Sequence, residues 1–215
     1  MSNSLVSSNV IILRKMPYQE SSLILGTLSA EFGKIDLIAK GARKLSKKQF
    51  PAFDLFREVQ VTFPNNGKDN LHSATNAELI QSNDALANVP ENFEIASKIA
   101  DFILKNSVPD LPSPLVYDAM RNILRNWALE GDKQEHPWTS QQCSVIIKTS
   151  YLYENGLLPD LGEPETKQAY QQQQIIENIL ECGNEGAPMP VLDDVWWVQL
   201  NKWLNQLIKQ HQLKY

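Results

Sequence analysis

The chain has 215 residues, 42% of them hydrophobic and 21% charged, which fits an ordinary globular protein with one large or two modest cores. No apolar stretch approaches the ~18 residues needed to span a bilayer, so a helical membrane protein is excluded and no membrane partner is expected. The net charge of −5 is unevenly spread, with a balance of +3 over residues 1–80 and −8 over residues 81–215, which fits a nucleic-acid-facing part beside an acidic one.

The first eighty residues read as strands. Ahead of the apolar run Val10–Leu13 the N-terminus has no basic region, so it is not expected to act as a signal peptide. Arg14 and Lys15 follow that run. In the next segment Leu23, Leu25 and Thr27 alternate with Ile24, Gly26 and Leu28, and a glycine inside a strand marks a bend or a close backbone approach. Ile35, Leu37 and Ala39 then alternate with Lys34, Asp36, Ile38 and Lys40. Leu55, Val59, Val61 and Phe63 line one face of a fourth segment, interrupted by Arg57. Pro64-Asn65-Asn66-Gly67 is a turn, with Asn66-Gly67 suited to positive φ. A last strand is expected from about Leu71 to Ile80. Five short strands, with a long connection between the third and fourth, predict a small barrel of the OB type over residues 1–81.

From there the period becomes helical, and residues 82–215 are expected to form an all-α domain, giving an α+β chain. Phe93, Ala96, Ile99, Phe102 and Ile103 recur at helical spacing after Pro90. Ser107–Pro114 holds three prolines and reads as a loop. Leu115, Ala119, Ile123 and Trp127 form the stripe of a second helix. A third helix is expected from Thr139 to Asn155, ended by Gly156, and a Gln-rich one around Gln168–Leu180. In the last helix Leu192, Val195, Trp196, Leu200, Trp203, Leu204 and Leu207 make the apolar stripe, and Trp197 falls off it. The two cysteines, Cys143 and Cys182, lie far apart, which fits a reducing cytoplasm better than a disulfide framework.

The charge anomaly sits at KGARKLSKK, residues 40–48, where Lys40, Arg43, Lys44, Lys47 and Lys48 occur without an acid. Such a run is commonly a solvated turn. Here it joins two strands of a predicted OB barrel, a fold that binds single strands in cationic grooves with aromatic platforms. Arg14, Lys15 and Lys34 extend the patch if their strands lie alongside. Of the nearby aromatics, Phe53 and Phe56 are expected to plug the barrel end, and Phe50 is the best candidate for stacking on a base. No phosphate-binding loop, dinucleotide fingerprint, nucleophile elbow or zinc-protease motif occurs. No catalytic residue, cofactor or metal is therefore expected, and any remodelling of a ligand must come from binding energy.

The stretch VIILRKMPYQESSLILGTLSAEFGKIDLIAKGARK resembles the opening of the RecO family of bacterial recombination mediators. The likeness rests on a strand ending in basic residues, the turn Tyr18-Gln19-Glu20-Ser21, and the strand and loop from Gly33 through Arg43. In the helical half it extends to Gly156–Leu161 and to a C-terminal helix near His211. One departure is plain: Leu161 is followed by Gly162-Glu163-Pro164-Glu165, where many relatives place the first cysteine pair of a zinc site. Cys143, Cys182 and three scattered histidines cannot supply four tetrahedral ligands in any standard spacing.

The resemblance implies a non-enzymatic cytoplasmic protein, associated with the bacterial nucleoid, that binds single- and double-stranded DNA and anneals complementary strands. It would cooperate with RecR to load RecA onto strands covered by single-strand-binding protein. On this reading Lys40, Arg43 and Lys44 match the family motif, whereas Lys47 and Lys48 rest on charge alone. The family also binds the acidic tail of single-strand-binding protein, and Arg121, Arg125 and Trp127 on the second helix are the residues proposed to meet it. A monomer is expected. The alternative is a protein–protein adaptor whose barrel no longer grips DNA, a reading kept open by the overall acidity.

Overall fold

The computed structural model describes residues 4–43, 52–65, 71–128, 138–159 and 166–214. Six strands form one curled sheet: β1 Ser4–Tyr18, β2 Ser22–Ser29, β3 Gly33–Ala39, β4 Glu58–Asn65, β5 Leu71–Ser73 and β6 Asn76–Gln81. Their order is β5-β3-β2-β1-β4-β6. The strand expected over Leu71–Ile80 is therefore two strands, and they lie at opposite edges of the sheet, separated by only two residues. Those two residues join the edges: the Ala74 amide donates to the Ile38 carbonyl of β3, and the Thr75 amide donates to the Thr62 carbonyl of β4. The sheet thus curls into an OB-type half-barrel, with Ala74 and Thr75 carrying the chain from one edge strand to the other.

β1 makes this geometry possible. At 15 residues it is ~50 Å long, and it pairs antiparallel with β4 through Ser4–Ile11 and with β2 through Val10–Tyr18. Val10, Ile12, Leu25, Ile35, Leu37, Val59, Val61 and Phe63 point into the barrel and form its core. Ile11, Leu13 and Leu28 point the other way, into a second core shared with the helices.

The helical part consists of α1 Pro90–Asn106, α2 Pro114–Ala128, α3 Ser140–Glu154, α4 Lys167–Glu185 and α5 Asp194–Gln210, preceded by a 3-10 turn at Asp84–Asn88. Their ends carry the expected chemistry. Pro90 opens α1, a reciprocal Thr139–Gln142 capping box opens α3, and Gly186, at φ 70°, closes α4. Asp193 accepts from the Trp196 amide at the start of α5.

Two details differ from the sequence reading. Phe56 is buried against the helices rather than in the barrel end, where Phe53 does pack. Phe56 adopts φ 63° in a turn before β4, which explains why Arg57 breaks the strand's alternation. In α5 the buried residues are Trp197, Leu200, Leu204, Leu207 and Ile208. Trp196 and Trp203 instead line a cleft of about 300 Å³ between α4 and α5 with Gln172 and Gln199. This helix carries apolar residues on more than one face, so spacing alone admits two stripes.

The proline-rich loop ties the two parts together. The Ser113 amide donates to the Ala30 carbonyl, and Pro109 bridges to Gly33 and Lys34. Gly33 has φ 60°, and a side chain there would run into the Leu111 carbonyl oxygen. Only glycine meets both demands.

Candidate nucleic-acid interface

Two turns meet at one end of the barrel. The β1–β2 turn, Tyr18–Ser21, is brought round by Gln19 at φ 52°, and the segment after β3 turns at Gly41, φ 73°. They are hydrogen-bonded to each other. The Arg43 amide donates to the Ser21 carbonyl at 2.9 Å, and its guanidinium donates to the Gln19 carbonyl at 3.3 Å. The two motifs that stood out in the sequence, Tyr18–Ser21 and the loop through Arg43, are thus parts of one surface. Lys40 and Arg43 are both exposed on it, and among the described residues neither takes part in an ion pair.

The other cations of the patch have different surroundings. A bulge between Ile12 and Arg14 shifts the register of β1, so Arg14 falls on the outer face of the sheet and Lys15 on the barrel side, opposite Leu25. Arg14 lies over Gly26, where a Cβ would stand 3.3 Å from both its Cβ and Nε. From there it reaches Asp36 at 3.5 Å. This close approach is the reason for the glycine in β2. Lys15 pairs with Asp54 at 2.6 Å, and its ammonium and the Leu55 amide hold the Asp54 carboxyl below its usual range despite partial burial.

Lys34 stands at the far end of β3, about 20 Å from Lys40 along the strand. Its ammonium donates to the Leu104 carbonyl at 3.1 Å, placing a positive charge at the C-terminus of α1 where the helix dipole favours it. Lys44, Lys47, Lys48 and Phe50 lie outside the described residues.

The second predicted cluster is anchored within the fold. Arg121 pairs with Asp118 at 2.7 Å and stacks over the Tyr117 ring. Arg125 reaches Glu58 of β4 at 2.9 Å. Trp127 is buried, its indole donating to the Trp138 carbonyl. A carboxylate approaching either arginine competes with Asp118 or Glu58. Burial and the Glu58 carboxylate push the Tyr117 phenol well above its ordinary range.

Among the described residues no cluster of three or more His, Cys, Asp and Glu side chains could hold a metal ion. Cys143 and Cys182 are free and buried, and burial pushes the Cys182 thiol up to about 12. No helix among the described residues is long and apolar enough to cross a membrane.

Residues 1–83, covering the whole barrel, match the family model described as "Recombination protein O N terminal". The barrel part of the chain is thus similar to the N-terminal domain of the RecO family. Among its relatives, the DNA repair protein RecO of Mesoplasma florum is 28% identical over 117 residues, covering 54% of this chain and 44% of that protein. The DNA repair protein RecO of Listeria welshimeri is 27% identical over 152 residues, 71% of this chain and 54% of the relative. That of Thermodesulfovibrio yellowstonii is 25% identical over 154 residues, 72% of this chain and 58% of the relative. The chain spans about half the length of these RecO relatives.

Charge singles out Lys40 and Arg43 in the sequence, and the structure places both, exposed, at one end of the barrel. The sequence does not separate Arg14 from Lys15, because the bulge that divides them leaves no mark in the alternation of apolar residues. It also does not single out Met16, Ile24 and Ile38, which lie beside the two turns on the same face as Tyr18.

Proposed function

We propose that this chain is a non-enzymatic DNA repair and recombination protein of the RecO type, with residues 1–81 as its nucleic-acid-binding unit and residues 82–215 as its helical unit. The observation that carries the reading is the exposed pair Lys40 and Arg43 on two hydrogen-bonded turns of an OB-type barrel. The names of the relatives support it. Phosphates are held there by charge, and the same charge screens the repulsion between two strands, which is what annealing requires. Arg14 and Lys15 contribute to the field from their ion pairs with Asp36 and Asp54. Lys44 follows Arg43 directly in the chain, and Lys47 and Lys48 come within five residues of it.

Cooperation with RecR in loading RecA onto strands coated by single-strand-binding protein completes the proposal, supported by the resemblance to the RecO family alone. Recognition of that protein's acidic tail by Arg121, Arg125 and Trp127 belongs to the same expectation, and the contacts of Asp118 and Glu58 set what such a tail must displace. A fluorescence anisotropy titration with a labelled oligonucleotide tests the reading. Contact with about three to five phosphates gives a single-strand slope of roughly −2 to −3.5 in log affinity against log salt. No binding at low salt would favour the adaptor instead.

A further inference from the structure

On the outer face of the sheet, directly opposed residues form cross-strand rows. Arg14, Gly26 and Asp36 make one row, and Met16, Ile24 and Ile38 make the next. Tyr18 and Ser22 follow, at the turn to which Arg43 is hydrogen-bonded. The helices cover this face at Ile11, Leu13 and Leu28, and Leu104 of α1 reaches as far as Gly26. Beyond that point no helix among the described residues covers the face. Met16, Ile24 and Ile38 pack into neither of the two cores, and Met16 and Tyr18 are each 40% exposed.

An apolar row left outside both cores and ending in an aromatic ring is a surface that binding would desolvate. Its rim decides the chemistry of the occupant. Lys40 follows β3 two strands from Tyr18, about 10 Å across the sheet, and Arg43 is fixed to the turn beside it. Of the acids nearby, Asp36 is neutralised by Arg14, leaving Glu20 on the turn. Flat apolar surface beside uncompensated cations matches a ligand that carries exposed rings on a polyanionic backbone.

We propose that Tyr18, with Met16, Ile24 and Ile38 beneath it, is a stacking platform for the unpaired bases of single-stranded nucleic acid, whose phosphates are held by Lys40 and Arg43. This rests on the functional reading above and adds a preference to it. Charge alone holds single and double strands alike, whereas the platform needs bases that are free to leave a helix.

The test is an anisotropy titration of the full chain with fluorescein-labelled oligothymidylate and with a labelled duplex, over a range of salt. Tyr18→Ala is expected to weaken oligothymidylate binding about 5- to 150-fold, with the salt slope and duplex affinity unchanged, and Tyr18→Phe to restore it. Met16→Ala tests the same surface with a smaller loss. An unchanged affinity of Tyr18→Ala for oligothymidylate, or an equal loss on duplex, overturns the platform even where Lys40→Ala/Arg43→Ala flattens the slope. Absence of binding by the unaltered protein overturns this inference together with the functional reading.

Discussion

The Tyr117 hydroxyl of α2 donates to the Glu58 carboxylate of β4 at 2.9 Å, and this one contact joins the helices to the barrel at a fully enclosed polar point. Glu58 is 3% exposed, and its second oxygen accepts from Arg125 at 2.9 Å. Both oxygens of a buried carboxylate are thus satisfied by one helix. Tyr117→Phe strands one of them and is expected to cost about 1–3 kcal/mol. Arg125→Ala removes the counter-charge of a buried acid, with a loss of about 2–4 kcal/mol tempered by the partial exposure of the arginine. Urea denaturation of the two variants measures this, and stability equal to that of the unaltered protein would contradict the anchoring role.

Gly33 is the point where the proline-rich loop lies against the barrel. Gly33→Ala must accommodate a positive φ and a collision with the Leu111 carbonyl together, so a loss of more than ~2 kcal/mol is expected. A thermal melt of the variant checks it. Gly41, also at positive φ but with nothing within 4 Å of a built Cβ, is expected to tolerate alanine better, at roughly 1 kcal/mol.

Lys148 sits buried in α3, donating to Asn201 and Asn205 of α5 at 2.8 Å each. Burial lowers its pKa from 10.5 to about 8. Between those values the unfolded chain holds the extra proton, so this group makes stability rise with pH above about 8, by at most ~1.4 kcal/mol per unit. The buried thiols of Cys143 and Cys182, both raised, oppose it from about 9, and the raised Tyr117 phenol does so once an unfolded tyrosine ionises near 10. The difference in denaturation midpoint between the unaltered protein and Lys148→Met should therefore move in favour of the unaltered protein as pH rises between these limits. A Lys148→Met protein with the same pH dependence would contradict the assignment.

Much of this fold is legible in the chain. The alternation around Ile35–Ala39, the turn chemistry at Gly41 and the caps at Thr139 and Asp193 act locally, and each element forms where its residues direct. What is not legible depends on partners distant in sequence. Leu71–Ile80 reads as one strand because the break at Ala74-Thr75 is made by bonds to Ile38 and Thr62, not by a proline or glycine. Trp197 and Trp196 exchange roles because α5 has apolar residues on two sides, and only its packing on α3 selects the buried one. Arg125 reads as a surface cation until Glu58, sixty-seven residues away, is placed beneath it.

The central claim is that Lys40 and Arg43, at the joined turns, are the principal phosphate contacts among the described residues. The direct test compares the salt dependence of oligothymidylate binding for the unaltered protein, Lys40→Ala/Arg43→Ala and Arg14→Ala/Lys15→Ala. Loss of two phosphate contacts should reduce the magnitude of the log–log slope by about 1.4 in the first variant, with a smaller change in the second, whose cations are already paired. An unchanged slope and affinity in Lys40→Ala/Arg43→Ala at low salt would contradict the account.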